Sequence, residues 1–311
     1  MRLPPHVPVL ARPGAGGQLD AQVGVARPVV LSGLTRDELR FVSSLEGGRE
    51  VSAEAAKEFA GVARKLTAAR AWEPSSLDRS THLSDAARTV ALHGCGRLGM
   101  TIAEALTLSG LAVALSDDAL AAAEPPRTFA APMHATCAGA ASHTLALRGV
   151  DTRIGDAAAL AVVVCAGAPD PAVAERLVRD DVPHVLVVTD ETGVLVSHVV
   201  VPGQTPCSRC RDLALTRSDP AWPYLALQLA GSPLPTRRPS AHPLVAFGAA
   251  VRVTVRLLRW LDTGDAGVAE RLVPLGAMVN QPFLPQADCG CGAAAIVGDE
   301  LAAKRARFRP D

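Results

Sequence analysis

Residues 89–118 read TVALHGCGRLGMTIAEALTLSGLAVALSDD. Thr89–His93 is a short apolar run that opens on the β-branched Thr89 and Val90. Gly94-Cys95-Gly96-Arg97-Leu98-Gly99 follows at once as G-x-G-x-x-G. Met100–Ser109 has helical composition, with Gly110 placed to end the helix. Leu111–Leu115 is a second apolar run, with Asp117 and Asp118 at its carboxyl end. The order predicts a strand, a glycine turn, a helix and a parallel strand, one βαβ unit with a nucleotide-type loop. The glycines permit a tight turn, and the free N–H groups at the helix start form a seat for an anion.

The remainder of the chain narrows the classes. Of 311 residues, 49% are apolar, enough for a large core, and the length suits one large or two ordinary domains. The 31 basic and 31 acidic side chains cancel, so no global field draws the chain toward nucleic acid or acidic lipid. No apolar run reaches the ~20 residues of a membrane helix; residues 185–201 come closest, and Asp190 and Glu191 interrupt them. The start, MRLPPHVPVLARPG, lacks the apolar stretch of a secretory signal. The expectation is a cytoplasmic protein with neither membrane nor nucleic-acid partner. In that compartment the seven cysteines are expected as metal ligands or buried thiols, not disulfides.

Before the glycine loop, Val7–Ala11 and Leu19–Val25 flank Pro13-Gly14-Ala15-Gly16-Gly17, a hairpin pattern, and Pro28–Leu31 is a third short strand. Thr35 with Glu38 reads as a capping box for a helix carrying Leu39, Phe41, Val42 and Leu45, stopped at Gly47-Gly48. Ser52 caps a further helix to about Arg70. Strands followed by short amphipathic helices predict a small winged-helix-like domain. Its arginines and lysines alternate with acids and read as solvated helix faces. Trp72–Leu83, WEPSSLDRSTHL, reads as a linker, giving domains at residues 1–86 and 87–311.

In the second domain, Ala138–Arg148 is predicted helical. Ala159–Ala166 is a continuous apolar run, the pattern of a buried parallel strand. Pro171–Arg179 is a helix, Pro183–Val188 a strand, and Thr192–Val201 an antiparallel continuation around Gly193. Leu244–Leu261 is a long helix with Phe247, Val251, Val255 and Leu258 on one stripe; Arg252, Arg256 and Arg259 lie off it, flanking a packed helix. One or two last strands are expected within Leu272–Phe283, and the tail after Gly298 reads as a solvated helix or frayed end. His93, His134, His143 and His198 have no sequence partner that fixes a role and are read as structural.

Cys207-x-x-Cys210 and Cys289-x-Cys291 are two close thiol pairs in Gly/Pro-rich surroundings. Brought together they supply the four thiolates of a tetrahedral zinc site, closed and therefore structural. Such a site would staple the loop after the sheet to the end of the chain. Cys95, Cys137 and Cys165 sit in apolar surroundings and read as core residues.

The glycine loop, the acid at the next strand end, Val199-Val200-Val201-Pro202-Gly203-Gln204-Thr205-Pro206-Cys207-Ser208-Arg209-Cys210 and the terminal C-x-C together resemble the ThiF/MoeB superfamily, relatives of ubiquitin-activating enzymes, over about residues 88–293. The resemblance implies a Rossmann-like α/β domain. Gly94, Gly96 and Gly99 would face the phosphates of ATP, Asp117 or Asp118 the ribose and Asp170 the magnesium side; the four paired cysteines would be the zinc ligands. Three features depart from the active pattern. Arg97 stands at the fourth place of a loop that is G-x-G-G-x-G in active members, where its side chain would fill the nucleotide entrance. The Asn-x-x-Arg after the acid is replaced by an alanine run ending in Glu124-Pro125-Pro126. No lysine occurs between Lys65 and Lys304, so the phosphate-neutralising lysine has no counterpart, with Arg127 or Arg148 as the substitutes. Adenylation needs cations aimed at the developing phosphate charge.

The N-terminal segment resembles the peptide-clamp domain of peptide natural-product pathways, through Val29–Leu31, the Leu34-Thr35 helix entry and Phe41-x-x-x-Leu45-Glu46-Gly47. There a leader peptide adds as a strand to a sheet edge. A clamp fused to a degenerate ThiF-like domain resembles the leader-binding cyclodehydratase partner of thiazole/oxazole-modified microcin pathways. That resemblance implies a non-catalytic scaffold presenting a precursor peptide to a YcaO-type enzyme, which itself uses ATP, and a homodimer paired through the larger domain. The competing readings are an active ATP- and magnesium-dependent adenylyltransferase acting on a carrier protein or peptide C-terminus, an NAD(P)-dependent oxidoreductase, and a DNA-binding regulator.

Overall fold

A computed structural model describes Leu3, Gly16 and residues 7–14, 18–25, 28–46, 51–68, 88–124, 128–130, 136–230, 241–274 and 277–296. The linker at Trp72–Leu83, the Gly47-Gly48 stop, Arg127, His134 and the tail after Gly298 lie outside these residues. The chain divides into two compact units, residues 1–79 and 80–311.

In the smaller unit, β1 (Val9–Pro13), β2 (Leu19–Val23) and β3 (Val29–Leu34) form an antiparallel sheet in that order, so β3 is an edge. Helices α1 (Arg36–Ser44), α2 (Ala53–Glu58) and α3 (Ala60–Ala68) follow. The capping box forms as the sequence indicates: Glu38 N–H donates to Thr35 Oγ1 at 3.2 Å, and Thr35 N–H donates to Glu38 Oε2 at 2.8 Å. Ser52 caps α2 through Ala55 N–H. The single helix expected after Ser52 is interrupted at Phe59, whose φ of −102° and ψ of 38° leave the helical region. The break seats the Phe59 ring on Phe41, centroids 4.6 Å apart. Leu3, Ala21, Val23, Leu31, Phe41, Val42, Leu45, Val62 and Leu66 form one core. Among the helices, α1 and α3 both pack on β3.

The larger unit is built on an eight-stranded sheet. Its strands are β4 (Thr89–His93), β5 (Ala112–Ser116), β6 (Arg153–Ile154), β7 (Leu160–Ala166), β8 (His184–Asp190), β9 (Gly193–Val200), β10 (Glu270–Leu272) and β11 (Met278–Asn280), in the order β11-β10-β9-β8-β7-β4-β5-β6. The run from β6 to β8 is parallel and β9, β10 and β11 pair antiparallel. The order reverses at β4: β5 and β6 lie to one side, β7 and β8 to the other. That switch point opens a crevice at the carboxyl ends of β4 and β7. Helices α4 (Arg97–Leu108), α5 (Cys137–Ala146) and α9 (Pro243–Thr263) share a core with the Val90, Leu92, Val162 and Val185 face of the sheet. Leu177 of α6 (Pro171–Arg179) packs with Ala161, Val163 and Leu186 on the other. Helices α7 (Ser208–Ser218) and α8 (Trp222–Ala230) complete the unit. Among the described residues no helix is long and apolar enough to cross a membrane.

One expectation is met only in part. Helix α9 buries Leu258 of the expected stripe with Val245, Ala246, Ala249, Ala250, Val253 and Leu257, whose mostly small side chains let it approach α4 and β9 closely, while Phe247, Val251 and Val255 are about half exposed or more. Arg256, expected to flank the helix, lies on the buried face.

Candidate functional site

The glycine loop has two glycines that the fold itself demands. Gly94 has φ +92°, and a Cβ there would meet the Val164 carbonyl oxygen at 2.3 Å. A Cβ on Gly99 would stand 2.0 Å from the Gly94 carbonyl oxygen. Both glycines therefore serve close packing of loop, strand and helix. Gly96 is the N-cap of α4, with no side-chain cap. A Cβ on Gly96 would lie 3.0 Å from Oε2 of Glu124, a residue the sequence pattern did not single out.

Around this loop lies a cleft of about 580 Å³ at the carboxyl ends of β4, β5 and β7. It gathers Gly94, Gly96, Asp117, Asp118 and Asp170 of the residues the sequence grouped, but not Gly99, which packs under the loop instead, and adds His93, Glu124, Asp156 and Arg176. Asp117 accepts Cys95 N–H at 2.7 Å and Ala119 N–H at 3.1 Å, which fastens the glycine loop to the end of β5. Asp170 caps α6, accepting Ala172 N–H at 2.9 Å. Arg97, expected to fill the entrance, is exposed, and the cleft wall does not include it. Arg148 sits beside Glu104 at 3.5 Å.

Charge dominates this cleft. Among the described residues, Asp117, Asp118, Glu124, Asp156 and Asp170 line it with one guanidinium, that of Arg176, which is itself paired with Asp156 at 2.7 Å. His93 adds no cation: burial, then Arg176, pushes its pKa down to about 4. Its Nε2 has no hydrogen-bond partner. A nucleotide phosphate placed here would face carboxylates, the reverse of a phosphate site.

A second cavity, of about 780 Å³, lies beside the first, beyond the ends of β7 and β8, and was not legible in the sequence. Trp222, Leu215 and Phe283 supply its apolar wall; Arg211, which donates to the Gly167 carbonyl at 2.9 Å, and Arg271, clamped on Asp190 at 2.7 Å, supply its polar one. Leu229 of α8 belongs to both cavities.

The paired cysteines do come together. Cys207 is the N-cap of α7 and Cys210 lies in its first turn; Cys289 and Cys291 flank Gly290, φ +73°. Their four Sγ atoms lie within 4.8 Å of one another, with Cys207–Cys289 and Cys210–Cys291 at 3.5 Å. Tetrahedral zinc with bonds of about 2.3 Å sets sulfurs about 3.8 Å apart, so the set fits a metal such as zinc. Four protein ligands leave no open position, and the group is structural in kind. Cys95, Cys137 and Cys165 are buried elsewhere and form no disulfide, and burial pushes Cys165 up to about 12. His198 Nε2 is 2.8 Å from the Pro206 carbonyl, and His184 Nδ1 is 2.9 Å from that of Val182, structural placements for both.

No family model and no curated protein matches the chain by sequence. Solved structures match by fold. The microcin C7 biosynthetic enzyme MccB in complex with N-formylated MccA has a TM-score of 0.57 at 14% identity, over 94% of this chain and 99% of that one. E. coli MccB with ATP has a TM-score of 0.56 at 14% identity, over 93% and 98%. A heterocyclase in complex with substrate and cofactor has a TM-score of 0.53 at 14% identity, over 96% of this chain and 40% of that one. At this identity the likeness is one of fold, and it spans both units of the chain. The mixed sheet and crossovers are those of a Rossmann-like fold.

Proposed function

We propose that this protein is a non-catalytic scaffold of ribosomal peptide modification. It holds the leader of a precursor peptide on its N-terminal unit and offers the rest to a YcaO-type ATP-dependent cyclodehydratase. The observation that carries the reading is the lining of the cleft, where the described residues supply five carboxylates and a single arginine, itself paired with Asp156. An adenylating enzyme must bring cations to a phosphate, and the described residues bring acids.

The N-terminal unit supplies a peptide-binding edge, the winged-helix-like clamp of this reading. Among the described residues, strand β3 has β2 on one side only. An extended leader adding to its other side gains main-chain hydrogen bonds, while α3 offers a wall for alternate side chains. Two of the fold neighbours were solved with a peptide or a substrate, MccB with MccA and the heterocyclase, which agrees with a peptide partner. In this reading residues 1–86 are the clamp and its linker and residues 87–311 the ThiF-like domain. The cysteine cluster holds one zinc ion that staples the loop after β9 to the chain end. The protein works in the cytoplasm, and the chain pairs as a homodimer through the larger unit.

The second reading is an active adenylyltransferase, with Gly94, Gly96 and Gly99 at the ATP phosphates, Asp117 at the ribose and Asp170 at magnesium. It is favoured by the likeness to MccB solved with ATP. Calorimetric titration separates the two. The scaffold binds its leader peptide and gives no heat with ATP and magnesium. Nucleotide binding with leader-dependent pyrophosphate exchange overturns the scaffold reading.

A further inference from the structure

The larger cavity, about 780 Å³ beyond the ends of β7 and β8, has the volume of a small-molecule site and no part in the reading above. Trp222, Leu215, Leu229 and Phe283 make one side of it apolar, and two guanidinium groups reach its wall. Arg271 is fully matched. Both oxygens of Asp190 accept from its Nη1 at 2.7 Å, and Thr192 and Gln281 accept from it as well. Glu191, the other acid of the wall, is exposed.

Arg211 is held in place but poorly neutralised. Its side chain is 13% exposed, and the acid beside it, Asp212, stands at 3.4 Å, longer than a charge-assisted hydrogen bond. The same Asp212 oxygen already accepts Trp222 Nε1 at 3.0 Å. The Gly167 carbonyl accepts from Arg211 Nη2 at 2.9 Å, and the guanidinium lies over the Trp222 ring, 5.4 Å from its centroid. Among the described residues these contacts occupy two of its five N–H groups. Burial outweighs Asp212 and draws the Arg211 pKa below its ordinary value. A fixed, buried cation with donors to spare, facing a cavity, calls for an anion from outside the chain.

We propose that this cavity binds an apolar carboxylate, an acid group carried on an aromatic or branched aliphatic body, with Arg211 taking the carboxylate and Trp222, Leu215 and Phe283 the body. The guanidinium fork matches a carboxylate in two parallel hydrogen bonds. Leu229 lines this cavity and the glycine-loop cleft alike, seated on Gly167, where a Cβ would meet its Cδ1 at 2.6 Å. Arg211 belongs to the larger cavity alone, so a carboxylate held there lies across Leu229 from the glycine loop and is recognised, not activated. The site stands whether or not that cleft takes a nucleotide.

The test is calorimetry on the full-length, metal-loaded protein with 3-phenylpropionate, and with 3-phenylpropionamide as the same body without the charge. The acid binds and the amide binds at least about tenfold more weakly. Arg211→Gln weakens the acid about tenfold to a hundredfold, the scale of a hydrogen bond to a charged group, and leaves the amide unchanged. Leu284→Glu, at a wall residue 65% exposed, adds a carboxylate without touching the core and also weakens the acid alone; it carries the test should Arg211→Gln not fold. A peptide ending in phenylalanine, titrated as its free acid, tells the two sources apart: tighter binding than 3-phenylpropionate assigns the carboxylate to a chain end, and weaker binding assigns it to a small molecule. No binding of either acid by the folded protein overturns the proposal. So does equal binding of acid and amide, or acid binding that neither variant changes.

Discussion

Glu270→Ala tests how the larger unit is held together. Glu270 on β10 accepts from two arginines of α9: Arg252 Nε at 2.9 Å with Nη2 alongside, and Arg256 Nη2 at 2.8 Å. The Arg256 side chain is 7% exposed and also donates to the carbonyls of Val196, at 3.0 Å, and Ser197. Truncating Glu270 leaves that cation buried with main-chain oxygens alone. Breaking a buried pair in this way costs about 3–5 kcal/mol, and the Arg252 arm, a third exposed, adds little. For a unit of this size each kcal/mol moves Tm by about 2–4 °C, so the loss is roughly 6–20 °C. Removing both charges in Glu270→Leu/Arg256→Met leaves no buried cation without its partner, only the more exposed Arg252, and this double variant is more stable than Glu270→Ala alone. The pH dependence has a definite sign. Hydrogen bonding from Arg252, first among its causes, holds the Glu270 carboxyl below its ordinary 4.5. Its stabilisation is therefore complete above pH 4.5 and is lost as pH falls through the lowered value, so wild type and Glu270→Ala converge in acid. Thermal unfolding by circular dichroism reads all of this. A loss under about 1 kcal/mol for Glu270→Ala, or a double variant as unstable as the sum of the singles, refutes the reasoning.

His93 and His198 are pushed down to about 4, and His184 is lowered, each chiefly by burial. Unfolding lets them take up protons, so stability is full above their ordinary 6.5 and falls between pH 6.5 and 4; a urea midpoint flat from pH 7 to 5 contradicts this. Cys289→Ser abolishes binding of one zinc per chain and lowers Tm, read by elemental analysis and melting; metal-free wild type grown with zinc, or full zinc in the variant, counts against the cluster. Leu244, Phe247, Val251 and Val255 form an exposed apolar stripe on α9, where the proposed homodimer is expected to pair. Phe247→Asp with Val251→Asp yields monomers by sedimentation, and a variant that stays dimeric removes that assignment.

What the sequence made legible was what local rules decide. The run of residues 89–118 specified its own βαβ unit because period, glycine turn and strand-end acid agree. The Thr35 and Ser52 caps were legible because capping is settled within four residues. The cysteine pairs announced a cluster because few other arrangements use four thiols at that spacing. Helix α9 was misread because both of its faces are apolar, and only the tertiary fit of its alanines against α4 decides which is covered. Glu124 escaped notice because a glutamate after an alanine run has no local signature. Its place beside Gly96 follows from the chain returning to the glycine loop, 28 residues on in sequence. The larger cavity arises likewise from segments distant in sequence, among them residues 166–167, 189–191, 211–229 and 271–286, meeting beyond β7.

Hydrogen exchange of the full chain, with and without the precursor's leader peptide, tests the scaffold most directly. The account predicts slowed exchange at Val29–Leu34, the β3 edge, and none at Gly94–Gly99 when ATP and magnesium are added. An unchanged β3 with protection of the glycine loop by nucleotide would contradict it.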